Sequence, residues 1–549
     1  MSSTTVPQGA PLPGLKRRAI PVVAIAIVVA LIAVLWALPP DNFERGLRVM
    51  LTFIGSMLLM LVLGVWFFLL AGVSTTARLI ALGSVIAITA VAVGSVRRVE
   101  FSGDMEPTFD LRWQPSREAL LEERLAEQKA APAIPAETVQ NVERLANPKP
   151  EDSPQYRGIH RDGVVIGPRL ARDWEQQPPK LLWRQPCGGG YAGFAVVGDL
   201  AITIEQRRDD EAVVAYDLPR GRELWAHSYS TLFSERLGGD GPRATPAIAD
   251  GRVYSLGAAG ELVCLDPTTG KLHWQVNILK ENGAANIEWG MSGSPLVENG
   301  VVIVNPGTQS AVAGERAPDS GSVMALDATT GNRRWQGGSG KASYASPALV
   351  TLRGTPTILI FDAVGLTGYD QATGKELWQF PWTSDFDINA AQPVVIDDAR
   401  VLISSAAGCT LLELSNDDSG WKVTPKWRNR WMKCSYSNPI AHGGHLYGLD
   451  EGILACINIE TGERPWKKGR YGHGQILLSG DLILVLSEKG ELALVEAVPT
   501  AFKEVARIQA IDGKTWNNPV LIGNRALVRN HLEMACYELP VESPPPATP

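Results

Sequence analysis

Nine side chains, each just before a short apolar segment, are mostly aromatic or basic. They are Tyr191, Arg243, Trp289, Tyr344, Gln392, Tyr436, His473, Lys514 and Trp516. Aromatic faces can stack on a flat ring system, and Arg and Lys can form charge-assisted hydrogen bonds with carboxylates. A fold that brings these residues together would make a site for a flat anionic molecule. The alternative is that the positions are polar because solvent reaches them, with the aromatic rings filling space.

Other residues with catalytic chemistry are scattered along the chain. Three carboxylates near these positions have no partner that the sequence identifies, and each is interpreted as a solvated loop residue: Asp240, Glu288 and Asp387. Four histidines are interpreted as loop or turn residues: His160, His442, His445 and His473. A metal site needs more ligands than this pattern supplies. The sequence therefore predicts no metal site and identifies no catalytic residue.

The elements that must position these side chains come from an internal repeat. In five copies an Asp or Asn stands four residues before a Gly, and a Trp stands four residues after it. The copies span residues 217–225, 266–274, 327–335, 370–378 and 458–466. Such regular spacing indicates one supersecondary unit used many times.

Each repeat predicts a β-hairpin, because Asp or Asn caps the turn and Gly takes its left-handed position. A second hairpin precedes it, as at Asp250-Gly251, so each unit is a four-stranded antiparallel meander. Isolated sheets of this kind cannot bury two apolar faces, and their radial stacking is a β-propeller. Tryptophans are predicted to pack each blade against the next: Trp183, Trp225, Trp274, Trp335, Trp378, Trp427 and Trp466.

Counting the weaker copies predicts eight blades between residues 180 and 540. Blades one to seven are expected at 194–225, 245–274, 294–335, 346–378, 392–427, 438–466 and 473–508, and the seventh has no Trp. The last copy, 518–539, holds only three strands. Lys180 to Gln185, with Trp183 but no hairpin before it, is predicted to complete blade eight and close the ring.

Three apolar runs near the N-terminus predict transmembrane helices at about 20–38, 47–73 and 79–96. Residues 1–19 are then a cytoplasmic tail, 20–98 a membrane domain, and 99–179 a stalk, a short helix at 117–129 and a Pro-rich linker. Residues 541–549 are predicted to be a disordered tail. Four basic residues lie on each side of the spans, so the extracytoplasmic placement of the propeller depends on Lys16, Arg17 and Arg18 and on the ready translocation of a long domain.

Charge and cysteine content exclude some functions. Residues 1–100 carry a net charge of +5, which leaves −12 for the rest of a chain whose total is −7. Such an acidic exterior argues against a nucleic-acid partner. Cys264, Cys456 and Cys536 occupy one equivalent strand position in three blades and are predicted to be packing residues. The sequence contains no Cys-x-x-Cys motif and no adjacent Cys pair.

The repeat resembles the blade repeat of the pyrroloquinoline-quinone (PQQ) family of eight-bladed propellers, over residues 180–540. That family includes quinoprotein alcohol and glucose dehydrogenases and the lipoprotein propeller of the outer-membrane assembly machine. The segment Ser153 to Gly163 also looks like the lead-in of many bacterial PQQ-repeat proteins. Membrane spans followed by such a propeller resemble the layout of membrane-bound glucose dehydrogenase.

Two hypotheses for the function follow. The resemblance implies either an all-β, membrane-anchored propeller that binds envelope proteins or a small ligand, or a PQQ-dependent dehydrogenase that oxidises an alcohol or sugar with PQQ and Ca²⁺. The adjacent Cys pair of soluble quinoprotein alcohol dehydrogenases is absent, and no segment carries over their calcium ligands or catalytic Asp. The binding or scaffolding module is therefore the favoured hypothesis, with the propeller outside the inner membrane of a bacterium.

Overall fold

The computed structural model describes residues 14–39, 44–130, 142–308 and 321–542. The chain forms two compact units, divided between Pro115 and Ser116. The first unit contains three helices long and apolar enough to cross a membrane, as predicted. Their bounds are Gly14–Ala37, Arg45–Val65 with a π-helical end at Trp66–Leu70, and Thr75–Ser95.

A β-hairpin follows the third helix directly, where the sequence predicted an ordered stalk. Its strands are Val96–Phe101 and Pro107–Leu111. Near its turn, Asp104 and Glu106 both form ion pairs with Arg45, the first residue of the second helix. The hairpin is therefore fixed to the helices by charge as well as by chain connectivity.

The second unit is the predicted eight-bladed β-propeller of four-stranded antiparallel sheets. Strands of blades one to four are Ala195–Val197, Leu200–Arg207, Asp210–Asp217 and Arg222–Ser230; Ala247–Ala249, Arg252–Leu256, Glu261–Leu265 and Leu272–Asn277; Leu296–Glu298, Val301–Val304, Val323–Asp327 and Arg333–Gly337; Ala348–Leu352, Thr355–Asp362, Gly365–Asp370 and Glu376–Pro381. Short helices, Ile278–Asn282 and the 3₁₀ turn Asp385–Asp387, lie between blades.

The remaining blades follow the same order. Strands of blades five to eight are Val394–Val395, Arg400–Ser405, Gly408–Asp417 and Gly420–Asn429; Ile440–His442, His445–Asp450, Ile453–Asn458 and Trp466–Arg470; Gln475–Ser479, Leu482–Leu486, Glu491–Glu496 and Glu504–Gln509; Val520–Ile522, Arg525–Arg529, Glu533–Glu538 and Lys180–Pro186.

Ring closure occurs as predicted, in blade eight. Lys180–Pro186 pairs antiparallel with Glu533–Glu538, and Trp183 stands opposite Cys536. Cys264 and Cys456 likewise stand opposite Trp274 and Trp466. All six cysteines of the chain are buried and free of disulfide bonds, so the prediction that the three equivalent cysteines are packing residues is confirmed.

The repeat turns adopt the predicted geometry. In the turn before Trp274, Asp266 Oδ1 accepts the backbone N–H groups of Thr268 and Thr269, at 3.0 and 2.8 Å. Gly270 then takes a φ of 69°, in the left-handed region that glycine adopts without strain. The Asx turn and the glycine together set the register in which Trp274 faces the next blade.

Segments before the first blade pack on the propeller. The helix Arg117–Ala130 begins with Ser116 accepting the N–H of Ala119, as expected of an N-cap. A short helix, Val142–Ala146, and the strand Val164–Val165 follow; the strand pairs parallel with Gln475–Ser479 and makes that sheet five-stranded. Part of the predicted Pro-rich linker, residues 131–141, and most of the predicted tail, residues 543–549, lie outside the described residues.

Candidate functional site

The loops that lead into the first, innermost strand of each blade lie at one face of the propeller, here called the mouth face. Five of the nine predicted site residues form one aromatic and basic cluster there. Tyr191 and Tyr436 lie against the Trp516 ring, with centroid distances of 5.3 and 5.7 Å. His473 contacts Tyr436 at 5.0 Å, and Lys514 Nζ lies 4.4 Å from the Trp516 ring centroid.

Arg243 joins this cluster from the loop between blades one and two. Its guanidinium lies 5.7 Å from the Tyr191 ring centroid and 5.0 Å from that of Phe233. It also donates to the carbonyls of Gly241 and Gly239, at 2.6 and 3.0 Å. Burial lowers the pKa of Arg243 below its usual value, because desolvation outweighs the nearby Tyr191 and acidic groups.

The same loop, 231–243, extends over the centre of the mouth. Leu237 O accepts a hydrogen bond from Lys514 Nζ at 3.5 Å. A Cβ atom added to Gly239 would lie 2.8 Å from the Tyr191 hydroxyl, and one added to Gly238 would lie 2.9 Å from the Trp289 ring. Glycines at these positions therefore let the backbone lie directly on the aromatic residues.

Glu488 holds the opposite side of the cluster, and the sequence analysis missed it. Its Oε1 accepts the Trp516 indole N–H at 2.8 Å, and its Oε2 accepts the backbone N–H of His473 at 3.2 Å. Glu488 comes from a turn between the second and third strands of blade seven. Only the blade topology places that turn at the mouth, because no local motif marks the residue.

The remaining predicted site residues are less closely joined. Trp289 and Tyr344 form a separate ring pair at 5.7 Å. Burial raises the pKa of Tyr344 above its ordinary value, with Glu288 adding to the effect and Arg243 opposing it. Gln392 is not among the ring contacts; its backbone N–H donates to Asn438 and its side chain lines a cavity inside the channel.

The carboxylates and histidines singled out in the sequence lie in different surroundings. Asp240 accepts from the Ser234 hydroxyl at 2.7 Å, and Asp387 forms an ion pair with Lys341 at 2.6 Å. Glu288 is exposed. His442 and His445 pair across their hairpin, and His160 lines the channel cavity. Within the described ranges, no three His, Cys, Asp or Glu residues form a cluster that could hold a metal ion.

The largest feature that sequence reasoning missed is a plug in the central channel, formed by residues 153–165. At its start Ser153 bridges to Val196 of blade one, and at its end Val164 and Val165 pair with blade seven. Asp152 accepts the N–H of Gly198, in a turn on the face opposite the mouth. The plug therefore enters from that opposite face.

The tip of the plug reaches the level of the mouth. Arg161 donates to the carbonyls of Ser294 and Pro295, just before the innermost strand of blade three. The Tyr156 hydroxyl accepts from Asn438 Nδ2 at 2.7 Å, at the same level of blade six. The plug thus occupies part of the channel beneath the aromatic cluster.

A belt of hydrogen bonds between neighbouring blades surrounds this tip. It uses the Thr, Ser or Asn that precedes Pro at the start of an innermost strand. Thr245 Oγ1 accepts the N–H of Gly193 and Ser294 Oγ accepts the N–H of Thr245, at 3.0 and 2.9 Å. Ser346 and Asn438 make the equivalent contacts further around the ring. The belt links successive blades at the mouth end.

The mouth as it is arranged does not fit PQQ. A flat tricarboxylate ring needs an open aromatic face and cations that can turn towards its carboxylates. Here Tyr191, Tyr436 and Lys514 all lie against the Trp516 ring. Arg243 is engaged with backbone carbonyls of the covering loop. Binding would require the loop and several rings to move apart.

Eight four-stranded blades closed around a plugged channel place the protein in the class of eight-bladed β-propellers. Residues 209–468 match the PQQ-repeat family model described as outer membrane protein assembly factor BamB. This stretch, a little under half of the chain, is similar to the PQQ-repeat family of propellers.

Two curated relatives agree with that match. The chain is 33% identical over 115 residues to outer membrane protein assembly factor BamB of Xanthomonas campestris pv. campestris, which covers 21% of this chain and 24% of the relative. It is 20% identical to BamB of Moranella endobia, over 58% of this chain and 70% of that one.

A likeness in structure extends to an enzyme. The crystal structure of quinohemoprotein alcohol dehydrogenase from Comamonas testosteroni matches 78% of this chain and 86% of its own, with a TM-score of 0.54 and 14% identity. At that identity the likeness shows the fold alone.

Proposed function

We propose that the protein is a membrane-anchored propeller that binds protein partners of the cell envelope on its mouth face. The propeller is held at the inner membrane by three transmembrane helices and lies on the periplasmic or extracytoplasmic side. The BamB relatives, named as outer membrane assembly factors, support an envelope scaffold role.

One observation carries the proposal: large apolar side chains are exposed on the loops around a mouth that the chain has already filled. Phe386 is 78% exposed, and four further side chains on these loops are also solvent-accessible: Leu232, Leu237, Trp431 and Tyr436. Exposed aromatic and aliphatic residues grouped on one face are typical of protein interaction sites. A filled centre with an apolar rim suits binding of a macromolecule better than turnover of a small one.

The partner surface is tested by photo-crosslinking in native membranes. A photoreactive amino acid is placed at Leu237, Phe386 or Thr330; the first two lie on the mouth face and Thr330 is exposed on a turn of the opposite face. We expect the same crosslinked partner from Leu237 and Phe386, and none from Thr330. Equal products from all three positions, or none from the mouth face, would contradict the proposal.

The alternative, a PQQ-dependent dehydrogenase, is tested on the purified full chain. PQQ and Ca²⁺ are added while absorbance and dye reduction are followed with a panel of alcohols and aldoses. We expect neither a bound-cofactor spectrum nor turnover, because the mouth is closed by its own rings. Turnover above the rate without protein would replace the scaffold proposal with the dehydrogenase.

Membrane orientation has an independent test. Since all six native cysteines are buried, a Thr330→Cys variant offers one reactive thiol. A membrane-impermeant maleimide added to intact spheroplasts should label this variant and leave the parent chain unlabelled. Labelling that appears only after lysis would place the propeller in the cytoplasm.

A further inference from the structure

A cavity of about 390 Å³ lies inside the channel, between the plug and the innermost strands of blades three to six. The plug contributes Gln155, Arg157, His160 and Arg161 to its lining, and Gln392 faces it from blade five. A volume of this size is within the range that holds a small molecule. The cavity is separate from the aromatic cluster at the mouth.

Two buried guanidinium groups dominate the charge of this cavity. Arg157 and Arg161 are only 5% and 6% exposed, and both have left-handed backbone conformations, with φ of 61° and 59°. Burial, with the neighbouring charge of Arg157 adding to its effect, lowers the pKa of Arg161 to about 10. Two like charges removed from water beside each other are costly unless an anion accompanies them.

The protein supplies carbonyl oxygens to these groups, and no carboxylate at ion-pair distance among the residues that the structure describes. Arg157 donates to Asp162 O at 2.8 Å and to Pro439 O at 3.3 Å. Arg161 donates to Ser294 O, Pro295 O and Gln155 Oε1. The Nε–H of each guanidinium is buried without an acceptor.

Nearby groups compensate the positive charge only in part: burial lowers the pKa of Arg157 overall, because it outweighs Tyr156 and Asp162, which raise that pKa. Gln392 is 3% exposed and lines the cavity, and its side-chain amide N–H group can donate to an anion. Two carboxylates, Asp162 and Glu298, also line the cavity, but both residues are exposed to solvent. Asp162 Oδ1 accepts the backbone N–H of Val164. The solvated carboxylates are therefore screened, while the arginines are not.

We propose that this channel cavity binds a small oxyanion with two or more negative charges, a dicarboxylate or a phosphate, between Arg157, Arg161 and Gln392. Guanidinium groups are suited to both kinds of anion, because their N–H groups match the spacing of carboxylate and phosphate oxygens. The anion supplies the missing countercharge and links the plug to blade five. Binding here is independent of any partner on the mouth face.

The test uses the full chain in detergent, with succinate and inorganic phosphate as probes and sodium chloride at matched ionic strength. Calorimetric titration should show saturable binding of at least one probe, and that probe should raise the melting temperature beyond the chloride control. The probe that binds more tightly decides between the carboxylate and phosphate classes. If neither probe saturates at millimolar concentration, the proposal is wrong.

A charge variant locates the site. Gln392→Glu places a carboxylate in the cavity, so we expect a higher melting temperature without added anion and at least a tenfold loss of probe affinity. The matched control, Gln176→Glu, adds the same charge at an exposed position and should leave affinity unchanged. Unchanged affinity in folded Gln392→Glu would overturn the assignment. If Gln392→Glu does not fold, the calorimetric titration of the parent chain still decides whether the cavity binds an anion.

Discussion

The Trp274 indole of blade two lies directly on Gly331 of blade three. Its Nε1–H donates to Ala328 O at 3.0 Å, and a Cβ atom on Gly331 would come within 2.8 Å of the ring. The same pairing of indole and turn glycine joins other neighbours: Trp183 with Gly221, Trp225 with Gly270, Trp335 with Gly374 and Trp427 with Gly462. The two residues of the repeat therefore act across the blade boundary, each Trp on the next blade's Gly.

Replacing Trp274 with Ala should lower the free energy of unfolding by about 3–5 kcal/mol, as for other buried aromatic side chains. The loss combines the buried ring area with the hydrogen bond to Ala328. Denaturant unfolding of the full chain measures it. Trp113→Ala, which removes an exposed indole, is the control and should have little effect. Equal stability of the two variants would contradict the blade-docking role.

Gly331→Ala separates the steric role of glycine from its backbone role. Gly331 and Gly300 have similar φ values, 74° and 70°, but nothing lies within 4 Å of a Cβ on Gly300. Both substitutions should cost about 1–2 kcal/mol for the left-handed backbone. Gly331→Ala should cost about 1–3 kcal/mol more, because the methyl group displaces the indole. The difference between the two melting temperatures measures that contact, and equal values would refute it.

The blade count and ring closure could be predicted because their signals are local. Asx turns, left-handed glycines and one Trp per unit repeat at a fixed spacing, and the three-stranded last copy requires the strand at Lys180–Pro186. The mouth residues follow from that topology. The way these residues are arranged could not be predicted, because the covering loop and the contacts of Arg243 and Lys514 depend on tertiary packing.

The plug could not be predicted for a similar physical reason. Residues 153–165 have no helical or strand periodicity: their two ends pair with blades distant in sequence, and the backbone between the ends forms turns within the segment. The resemblance to the lead-in segments of the family singled out these residues, but it did not indicate where they lie in the fold. Trp174 was also missed, because it lies outside the repeat and carries no spacing signal.

Trp174 occupies the boundary where the repeat lacks its own indole. In blade seven, Ala506 stands opposite Leu494, the position that Trp holds in the other blades. Trp174 is 4% exposed and packs in the same apolar cluster as both of these residues. We expect Trp174→Ala to destabilise the fold by about 3–5 kcal/mol, as at a repeat Trp. A change in melting temperature no larger than that of Trp113→Ala would show that Trp174 does not support this boundary.

Asp362 makes the stability of blade four depend on pH. Its Oδ1 accepts the N–H groups of Val364 and Gly365, while Oδ2 is buried without a partner. Burial raises the pKa of Asp362 to about 7, although the backbone hydrogen bonds oppose the shift, and Glu376 adds to it. The folded protein therefore holds a proton here that the unfolded chain has released above its ordinary pKa of about 4.

Because the folded state binds the extra proton, its stability falls as the pH rises from about 4 to 7. Asp362→Asn keeps the Oδ1 contacts and removes the titration. We expect the free energy of unfolding of this variant, relative to that of the parent, to increase by up to about 4 kcal/mol between pH 4 and pH 8. The control, Asp418→Asn, lies at an exposed position. Its free energy of unfolding should change with pH in the same way as that of the parent. A difference between Asp362→Asn and the parent that stays constant with pH would mean that Asp362 remains ionised in the fold.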